Sequence, residues 1–325
     1  MKQRVIFKFL LIFAGLSSFL NCYAQNSYPS KPIHFVVPQP AGGTSDTLAR
    51  MWGEYVSKAV GTTVIVENKP GANGSIAASY VAKQAPDGYN VFLAGVSNLA
   101  LNPFIYKTLS YSPTKDFDGV GLLVETPYLL VASKKSGIEN FQALILKAKE
   151  NPDKLNFASA GLGNGTHLVM EMLMRKTGIK MTHVPFNGSV PALSSVVGGQ
   201  TDLMTDVLAT GGKQASAGNV TPLAVLGTKR NPTFPDTPTL EDLGIKDFPY
   251  PNWYAIVVPA GTPKEIVNKL NVLTIDFLKD ATVRTRLDAM GLSPMPTPPS
   301  AVKEYTDRDS SVWGPIIKEL GVGGN

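Results

Sequence analysis

The sequence alternates short β-rich runs with segments of helical periodicity, and this alternation limits the possible folds more than any other feature. A buried-strand pattern at residues 33–37 ends at Pro38, and a helical pattern follows between Leu48 and Tyr55. Predicted strands at 63–66 and 89–94 then enclose a second predicted helix, 76–85. A βαβαβ series of this kind indicates a parallel sheet with helices on both faces.

A second alternating series follows, and the proline-rich segment 232–249 after it is typical of a connection. Two domains are the natural expectation for 325 residues. We expect an α/β protein with two lobes, in which residues 25–128 and 250–325 form lobe 1 and residues 129–249 form lobe 2. The predicted elements from the second series onward are strands 129–132, 156–160, 181–185, 203–207, 223–226 and 253–258, and helices 141–149, 166–177, 190–197, 263–278, 283–290 and 299–318.

The first 24 residues have the pattern of an export signal. They contain three basic residues and no acid, then an apolar stretch that ends at Leu20, and small residues before a predicted cleavage site after Ala24. The uninterrupted apolar part, residues 9–20, is shorter than the roughly 20 residues that cross a bilayer. This favours a cleaved signal peptide, residues 1–24, over a retained membrane anchor, and it predicts a periplasmic protein.

The composition of the mature chain argues against several partners and chemistries. Beyond residue 24, 27 basic residues stand against 25 acidic ones and form no basic run, so nucleic acid is not an expected partner. Cys22 is the only cysteine; lipid attachment there is an alternative, but Asn21 is unfavourable before an acylated cysteine. Cleavage after Ala24 leaves no thiol for a disulfide, a nucleophile or a metal site. We expect no catalytic residue, no metal and no cofactor.

Two glycine-rich turns, residues 38–46 and 158–167, are the candidates for binding, and each lies between a predicted strand and a predicted helix. Glycine lets the backbone approach a ligand closely, and the N-terminus of the next helix offers unpaired N–H groups and a partial positive charge. Such a turn can hold an anion without a lysine or arginine. Each could also be a plain tight turn, but two in one chain favour binding.

Other motifs around the second turn are incomplete. The glycines at 161, 163 and 165 do not make a dinucleotide fingerprint, because Thr166 stands where the third glycine belongs. His167 and Glu171 share one helical face, but a metal site needs at least one more ligand. His183 cannot be placed beside them from the sequence. His167 is therefore expected to contact the ligand or to support the turn.

Three further residues are candidates, one with a plain structural interpretation and two with two interpretations each. Asp46 is interpreted as the N-cap of the first helix. Asp206 ends a predicted strand, at the edge where α/β proteins bind ligands, so it either contacts a ligand or caps the next turn. Trp253 is either a core aromatic or a wall for the carbon skeleton of the ligand.

Short motifs over nearly the whole mature chain carry a family resemblance. They include Gly42-Gly43-x-x-Asp46-x-x-Ala49-Arg50, Val66-Glu67-Asn68-Lys69-Pro70-Gly71-Ala72-Asn73-Gly74, Ala85-Pro86-Asp87-Gly88-Tyr89, Gly165-Thr166-His167-Leu168, His183-Val184-Pro185-Phe186, Gly198-Gly199-Gln200-x-Asp202 and Pro259-Ala260-Gly261-Thr262-Pro263. In this order they resemble the receptors of tripartite tricarboxylate transporters, also called the Bug family. Each motif is weak alone, and the set is specific.

The resemblance implies a periplasmic receptor with a type II binding-protein fold and two crossovers between its lobes. In such receptors, backbone groups of one loop from each lobe hold a ligand carboxylate, partly through ordered water. Asp206 stands where the family often has a cleft aspartate, and Gln39 stands where it often has a phenylalanine, which exchanges an apolar contact for a hydrogen bond. Carried over residue by residue, the resemblance implies ligand contacts from Ala41, Gly42, Gly43, Thr44, Ser45, Gly163, Asn164, Gly165, Thr166 and His167.

We therefore expect a monomeric receptor whose lobes close around a small carboxylate, in the manner of a Venus flytrap. Polar groups from two loops favour a dicarboxylate, aromatic or short and aliphatic. The expected partners are the large and small membrane subunits of a tripartite transporter. Two other classes stay open: a ligand-sensing receptor that serves a signalling partner, and an exported enzyme, for which no nucleophile, acid–base pair or metal constellation is visible.

Overall fold

The chain folds around two β-sheets and passes between them twice. The computed structural model describes residues 28–227, 230–249 and 252–322. Within these ranges one sheet has six strands and the other has five. In chain order the strands are β1 (Ile33–Val37), β2 (Val64–Asn68), β3 (Asn90–Gly95), β4 (Phe117–Glu125), β5 (Tyr128–Ser133), β6 (Asn156–Ser159), β7 (Thr182–Pro185), β8 (Leu203–Val207), β9 (Val220–Leu226), β10 (Trp253–Pro259) and β11 (Ser293–Pro294).

Helices connect most of these strands. In the described part of the chain, none of them is long and apolar enough to cross a membrane. Single 3-10 or π turns occur at Ala72–Gly74, Ser97–Leu101, Lys134–Ser136 and Leu208–Gly212. The α-helices are α1 (Thr44–Val60), α2 (Ser75–Ala82), α3 (Asn102–Ile105), α4 (Phe141–Glu150), α5 (Gly165–Thr177), α6 (Ser189–Gly198), α7 (Lys213–Ser216), α8 (Lys264–Lys279), α9 (Ala281–Ala289) and α10 (Ser300–Leu320).

The first sheet has the strand order β11-β4-β10-β3-β1-β2. Strand β1 pairs in parallel with β2 and with β3, which confirms the parallel sheet predicted from the βαβαβ series. Strand β10 pairs antiparallel with both β3 and β4. It is buried along its whole length, as expected for its continuous apolar sequence. We call the part of the molecule built on this sheet the first lobe.

The second sheet has the order β7-β6-β8-β5-β9, and we call the part built on it the second lobe. The chain enters this lobe between β4 and β5 and leaves it between β9 and β10. Two sheets joined by two crossovers confirm the predicted two-lobed α/β fold. The lobe boundaries at residues 128 and 249 stay a prediction, and the predicted signal peptide, residues 1–24, lies outside the described residues.

Packing against the first sheet fixes helix α1, which carries the first glycine-rich turn at its N-terminus. Trp52 is fully buried, and its ring meets that of Phe35 edge-on with centroids 4.8 Å apart. The indole Nε1 of Trp52 donates a hydrogen bond of 3.1 Å to Thr274 Oγ1 on α8. Burying an aromatic side chain with its polar atom satisfied stabilises the helix and holds its position.

Candidate ligand-binding cleft

Loops at the carboxyl ends of parallel strands from both sheets surround one cavity of about 320 Å³. Strands β1, β2 and β3 supply residues 38–40, 70–74 and 95–98. Strands β6 and β7 supply residues 160–162, 164, 166 and 185–189. The residues from Lys31 onward form one compact unit that contains both lobes. Ligands of α/β proteins bind at this edge of the sheet, because the chain there turns from strand to helix.

The cavity is polar and aromatic but carries no charge. Of the described residues that line it, none has an acidic or basic side chain. Amide and hydroxyl side chains from both lobes alternate with aromatic rings, namely Tyr106, Tyr128, Phe186, Trp253 and Tyr254. The site therefore offers hydrogen bonds and flat apolar walls, and it has no lysine or arginine to neutralise an anion.

Three helices begin at the cavity. The N-cap residues of α2, α5 and α6 are Gly74, Asn164 and Gly188, and all three line it. The first N–H groups of a helix have no partner within the helix, and the helix dipole adds a partial positive charge there. Helix α2 belongs to the first lobe and the other two to the second lobe, so partial positive charge reaches the cavity from both sides.

Four of the residues predicted to contact a ligand line the cavity: Gln39, Asn164, Thr166 and Trp253. Trp253 has the surroundings of a core aromatic, because it is 2% exposed and its Nε1 donates a 2.6 Å hydrogen bond to Asp309. Its role as a wall for the ligand stays a prediction. The other predicted contacts do not line the cavity and lie in the adjoining turns and on β8. They are Ala41, Gly42, Gly43, Thr44, Ser45, Gly163, Gly165, His167 and Asp206.

The first glycine-rich turn is held by Asp46, although not as its N-cap. Gly43 is the N-cap of α1, so the N-cap interpretation of Asp46 is wrong. The Asp46 carboxylate instead reaches back from the first helical turn and accepts hydrogen bonds of 3.0 Å from Gly42 N–H and from Arg50 Nε. Burial acts to raise the pKa of Asp46, but the hydrogen bonds, with that from Arg50 the largest, lower it overall.

The second turn is held by its own side chains. Asn164 caps α5 by accepting from Thr166 N–H at 3.0 Å, and Thr166 Oγ1 accepts from Ala160 N–H at 2.9 Å. His167 Nδ1 accepts from Gly163 N–H at 3.1 Å. Its Nε2 therefore carries the hydrogen, which faces Glu171 Oε1 at 3.3 Å. Of its two proposed roles, His167 takes the supporting one in this arrangement.

His183, which the sequence could not place, stacks on His167. Their ring centroids are 3.8 Å apart, and the ring of Phe157 lies beside both, with its centroid 4.9 Å from that of His183 and 6.1 Å from that of His167. His183 Nε2 also lies 2.6 Å from Ser159 Oγ. Burial, helped by the neighbouring His167, lowers the pKa of His183 to about 3, so its ring is neutral near pH 7. Across the described ranges no group of three or more histidine, cysteine or acidic residues could hold a metal ion.

Asp206 lies behind the wall of the cavity. It is fully buried, and its carboxylate accepts hydrogen bonds from Ser189 Oγ at 2.9 Å and from Thr210 Oγ1 at 2.6 Å. Burial raises the pKa of Asp206 to about 6, against the opposing effect of these hydrogen bonds. Asp206 thus reaches the cavity through Ser189, which lines it.

The two lobes meet across the cleft through an asparagine pair. Asn164 Nδ2 of the second lobe donates to Asn73 Oδ1 of the first lobe at 2.8 Å and approaches Ser97 Oγ at 3.4 Å. Asn73 is positioned by Asn102, which accepts from its Nδ2 at 2.8 Å, and by Asn98, which donates to its carbonyl at 3.0 Å. The lobes are therefore in contact, and the cavity lies between them.

Three loops of the cleft were not predicted as ligand contacts: residues 70–74, 95–98 and 185–189. Their signal was present, because each begins at the end of a predicted strand or within four residues of it. Residues 70–74 and 185–186 also belong to motifs of the family resemblance. They carry neither a charged residue nor a run of three glycines, so residue type alone did not single them out.

One family model matches most of the chain. Residues 48–322 match the family model described as "Tripartite tricarboxylate transporter family receptor". The chain belongs to this receptor family. The resemblance inferred from the short motifs is thereby confirmed.

Solved structures of other proteins share the fold of this receptor over almost its whole length. An R. palustris protein solved with adipate is 32% identical, with a TM-score of 0.88 over 90% of this chain and 98% of its own. The periplasmic binding protein BugD is 34% identical, with a TM-score of 0.87 over 92% and 100%. MatC from Rhodopseudomonas palustris with bound malate is 32% identical, with a TM-score of 0.84 over 89% and 100%. These likenesses confirm the two-lobed binding-protein fold.

Proposed function

We propose that this receptor is exported to the periplasm, captures a small dicarboxylate between its lobes and delivers it to the large and small membrane subunits of a tripartite transporter. The single observation that carries the proposal is the convergence of three helix N-termini, from both lobes, on a cavity without charged side chains. Fixed N–H groups and helix dipoles stabilise a carboxylate without a cation.

Partial positive charge from both lobes suits a ligand with a carboxylate at each end. One carboxylate would be held near α2 in the first lobe and the other near α5 in the second. The bound ligands of two relatives, adipate and malate, are both dicarboxylates and support this ligand class. The cavity volume of about 320 Å³ accommodates either skeleton.

Among the predicted contacts, Gln39, Asn164, Thr166 and Trp253 are the proposed direct ones, since they line the cavity. Ser97 and residues 185–189 join them in the proposal. The turn residues 41–45, together with Gly163, Gly165 and His167, are proposed to act by shaping the two loops. Binding of the ligand to one lobe followed by rotation about the two crossovers would complete the site.

The test of binding is a thermal-shift screen of the mature protein against mono-, di- and tricarboxylates, with sugars as controls. A ligand at 100 times its dissociation constant adds about 2.7 kcal/mol to the free energy of unfolding. We expect a shift with one class of dicarboxylate. A protein that responds only to sugars, or to no carboxylate at all, would contradict the proposal.

Export and delivery need separate measurements. N-terminal sequencing of the protein from a periplasmic fraction should begin at Gln25, the residue after the proposed cleavage site. Uptake of the radiolabelled ligand into cells should require this receptor together with both membrane subunits. Normal uptake in cells that lack the receptor would contradict a role in delivery and leave a sensing role as the better explanation.

A further inference from the structure

Ser189 and Asp206 form a buried pair at the cleft. Ser189 is the first residue of helix α6, lines the cavity and is 7% exposed. Its Oγ lies 2.9 Å from Asp206 Oδ1, and the other carboxylate oxygen takes the hydroxyl of Thr210. The hydrogen bonds of Asp206 come from hydroxyl and backbone groups, and no cation contributes to its electrostatics.

This pairing fixes the direction of the Ser189 hydrogen bond. An ionised carboxylate only accepts hydrogen bonds, so the single hydroxyl hydrogen of Ser189 points at Asp206. Ser189 is left with lone pairs, which a ligand carboxylate cannot satisfy because it also has only acceptors. The negative charge of Asp206, one hydrogen bond behind the wall, disfavours a carboxylate at this place for a second reason.

Ser97 shows the opposite arrangement on the first lobe. It also lines the cavity, and its Oγ is approached by the amide donor of Asn164 at 3.4 Å. Its hydroxyl hydrogen is therefore free to point at a ligand. The cavity thus has one serine suited to donate and one suited to accept.

We propose that Ser189, oriented by Asp206, is a specificity-determining acceptor for a hydrogen-bond donor on the carbon chain of the ligand, so that the receptor prefers 2-substituted dicarboxylates to unsubstituted ones. This rests on the proposed dicarboxylate function. The donor can be a hydroxyl or an ammonium group, since both supply a hydrogen to the lone pairs of Ser189. Asp206 is a positioning residue that acts through Ser189.

Two titratable groups on other strands face Asp206. The phenol of Tyr254 on β10 and that of Tyr128 on β5 both lie near enough to feel its charge, and burial raises the pKa of each phenol. Both phenols are therefore neutral over the whole range from pH 5 to 8. Any change in the hydrogen bond of Ser189 over that range is due to Asp206, whose pKa is about 6.

The experiment measures dissociation constants at pH 8 for matched dicarboxylates of four, five and six carbons, each unsubstituted, with a 2-hydroxyl and with a 2-amino group. For the chain length that binds, we expect the hydroxyl or amino form to bind about tenfold tighter or more, because an unpaired buried acceptor is costly. The two substituents distinguish a neutral donor from a charged one.

Two serine variants decide the assignment. Ser189→Ala should reduce the ratio between substituted and unsubstituted ligand to about one. The matched control Ser97→Ala removes a donor and should weaken both ligands while leaving their ratio as in the wild type. A wild-type ratio in Ser189→Ala, with folding verified by its melting temperature, would overturn the inference.

The pH dependence of this ratio tests the role of Asp206, because a purely structural role would leave the ratio unchanged with pH. At pH 5.5 Asp206 is largely protonated and can donate, which frees the hydrogen of Ser189, so the wild-type ratio should fall from its value at pH 8. In Ser189→Ala the ratio should change with pH only through titration of the ligands. In Asp206→Asn the fall in the ratio between pH 8 and pH 5.5 should likewise be absent, apart from that titration. If no dicarboxylate binds the wild type, the proposed function itself fails; if they bind with an unchanged ratio in Ser189→Ala, only this inference fails.

Discussion

The fully buried Asp206 and the half-buried His183 give the receptor opposing responses to acid. The folded state raises the pKa of Asp206 from 3.8 to about 6, so it binds that proton more tightly than the unfolded chain does. Its contribution to stability is complete below pH 3.8 and is lost as the pH rises through 6. The folded state lowers the pKa of His183 from 6.5 to about 3, so its contribution is present above pH 6.5 and is lost as the pH falls toward 3.

Asp206→Asn should separate these responses. The variant lacks the titrating carboxyl, so its free energy of unfolding should fall more steeply than that of the wild type between pH 6 and pH 4. The difference between the two proteins should change by about 2 kcal/mol over that window, which is the part of the pKa shift of Asp206 that falls between these pH values. Urea unfolding at several pH values measures it, and parallel curves for the two proteins would refute it.

For single residues, the sequence predicts a role where that role depends only on neighbouring residues in the chain. Asn164 and Thr166 stand where a strand turns into a helix, and their roles follow from that position. The stacking of His183 on His167 was not predictable, because it depends on the pairing of β6 with β7, which brings together segments distant in the sequence. The strand end predicted a ligand contact for Asp206, which stays a prediction, because burial places Asp206 behind Ser189 and outside the cavity lining.

Single elements were predicted well where their pattern was strong. Strand β4 was missed, although it spans Phe117–Glu125 and pairs along its length with β10. Its two glycines weaken the strand pattern. They are required by packing: a Cβ on Gly119 would lie 2.6 Å from the carbonyl oxygen of Pro299, and one on Gly121 would lie 3.0 Å from Asn271 Nδ2. The reason for the glycines lies in the C-terminal segment and not in β4 itself.

We expect closure of the lobes to depend on the N-terminus of helix α6. Gly188, its N-cap, has a φ of +113°, and a Cβ there would lie 2.6 Å from Pro40 Cδ on the facing lobe. Gly188→Ala should therefore weaken ligand binding tenfold or more by keeping the lobes apart. Isothermal titration calorimetry of the ligand found by the screen measures the effect.

Gly218→Ala is the matched control for that substitution. Gly218 has a φ of +75°, and a Cβ there would meet nothing within 4 Å. Both variants place alanine at a positive φ, which costs about 1–3 kcal/mol, but only Gly188→Ala obstructs the facing lobe. Equal affinities of the two variants would show that contact with Pro40 does not matter for closure.

For the whole molecule, the asparagine pair across the cleft should set how long the closed state lasts. Asn73 has a φ of +50°, so Asn73→Gly keeps the backbone conformation and removes the acceptor of Asn164. We expect ligand dissociation to be about tenfold faster, the equivalent of roughly one hydrogen bond. Stopped-flow measurement of ligand release gives the rate.

Asp153→Gly is the control for this variant, since Asp153 is an exposed residue of the second lobe with a φ of +60°. It should release the ligand at the wild-type rate. Small-angle scattering of the ligand-bound proteins should show a larger radius of gyration only for Asn73→Gly. Identical release from both variants would mean that the asparagine pair does not stabilise closure.

The position of β10 also has a consequence for the order in which the molecule can assemble. This strand lies between β3 and β4 in the first sheet, yet it is made after every strand of the second sheet. Until residue 259 is available, β3 and β4 each keep an unpaired edge, and the first lobe cannot complete its sheet. The second lobe has all five of its strands by residue 226. A growing chain therefore finishes its inserted lobe first, and its first lobe can complete its sheet only when about four-fifths of the polypeptide has been made.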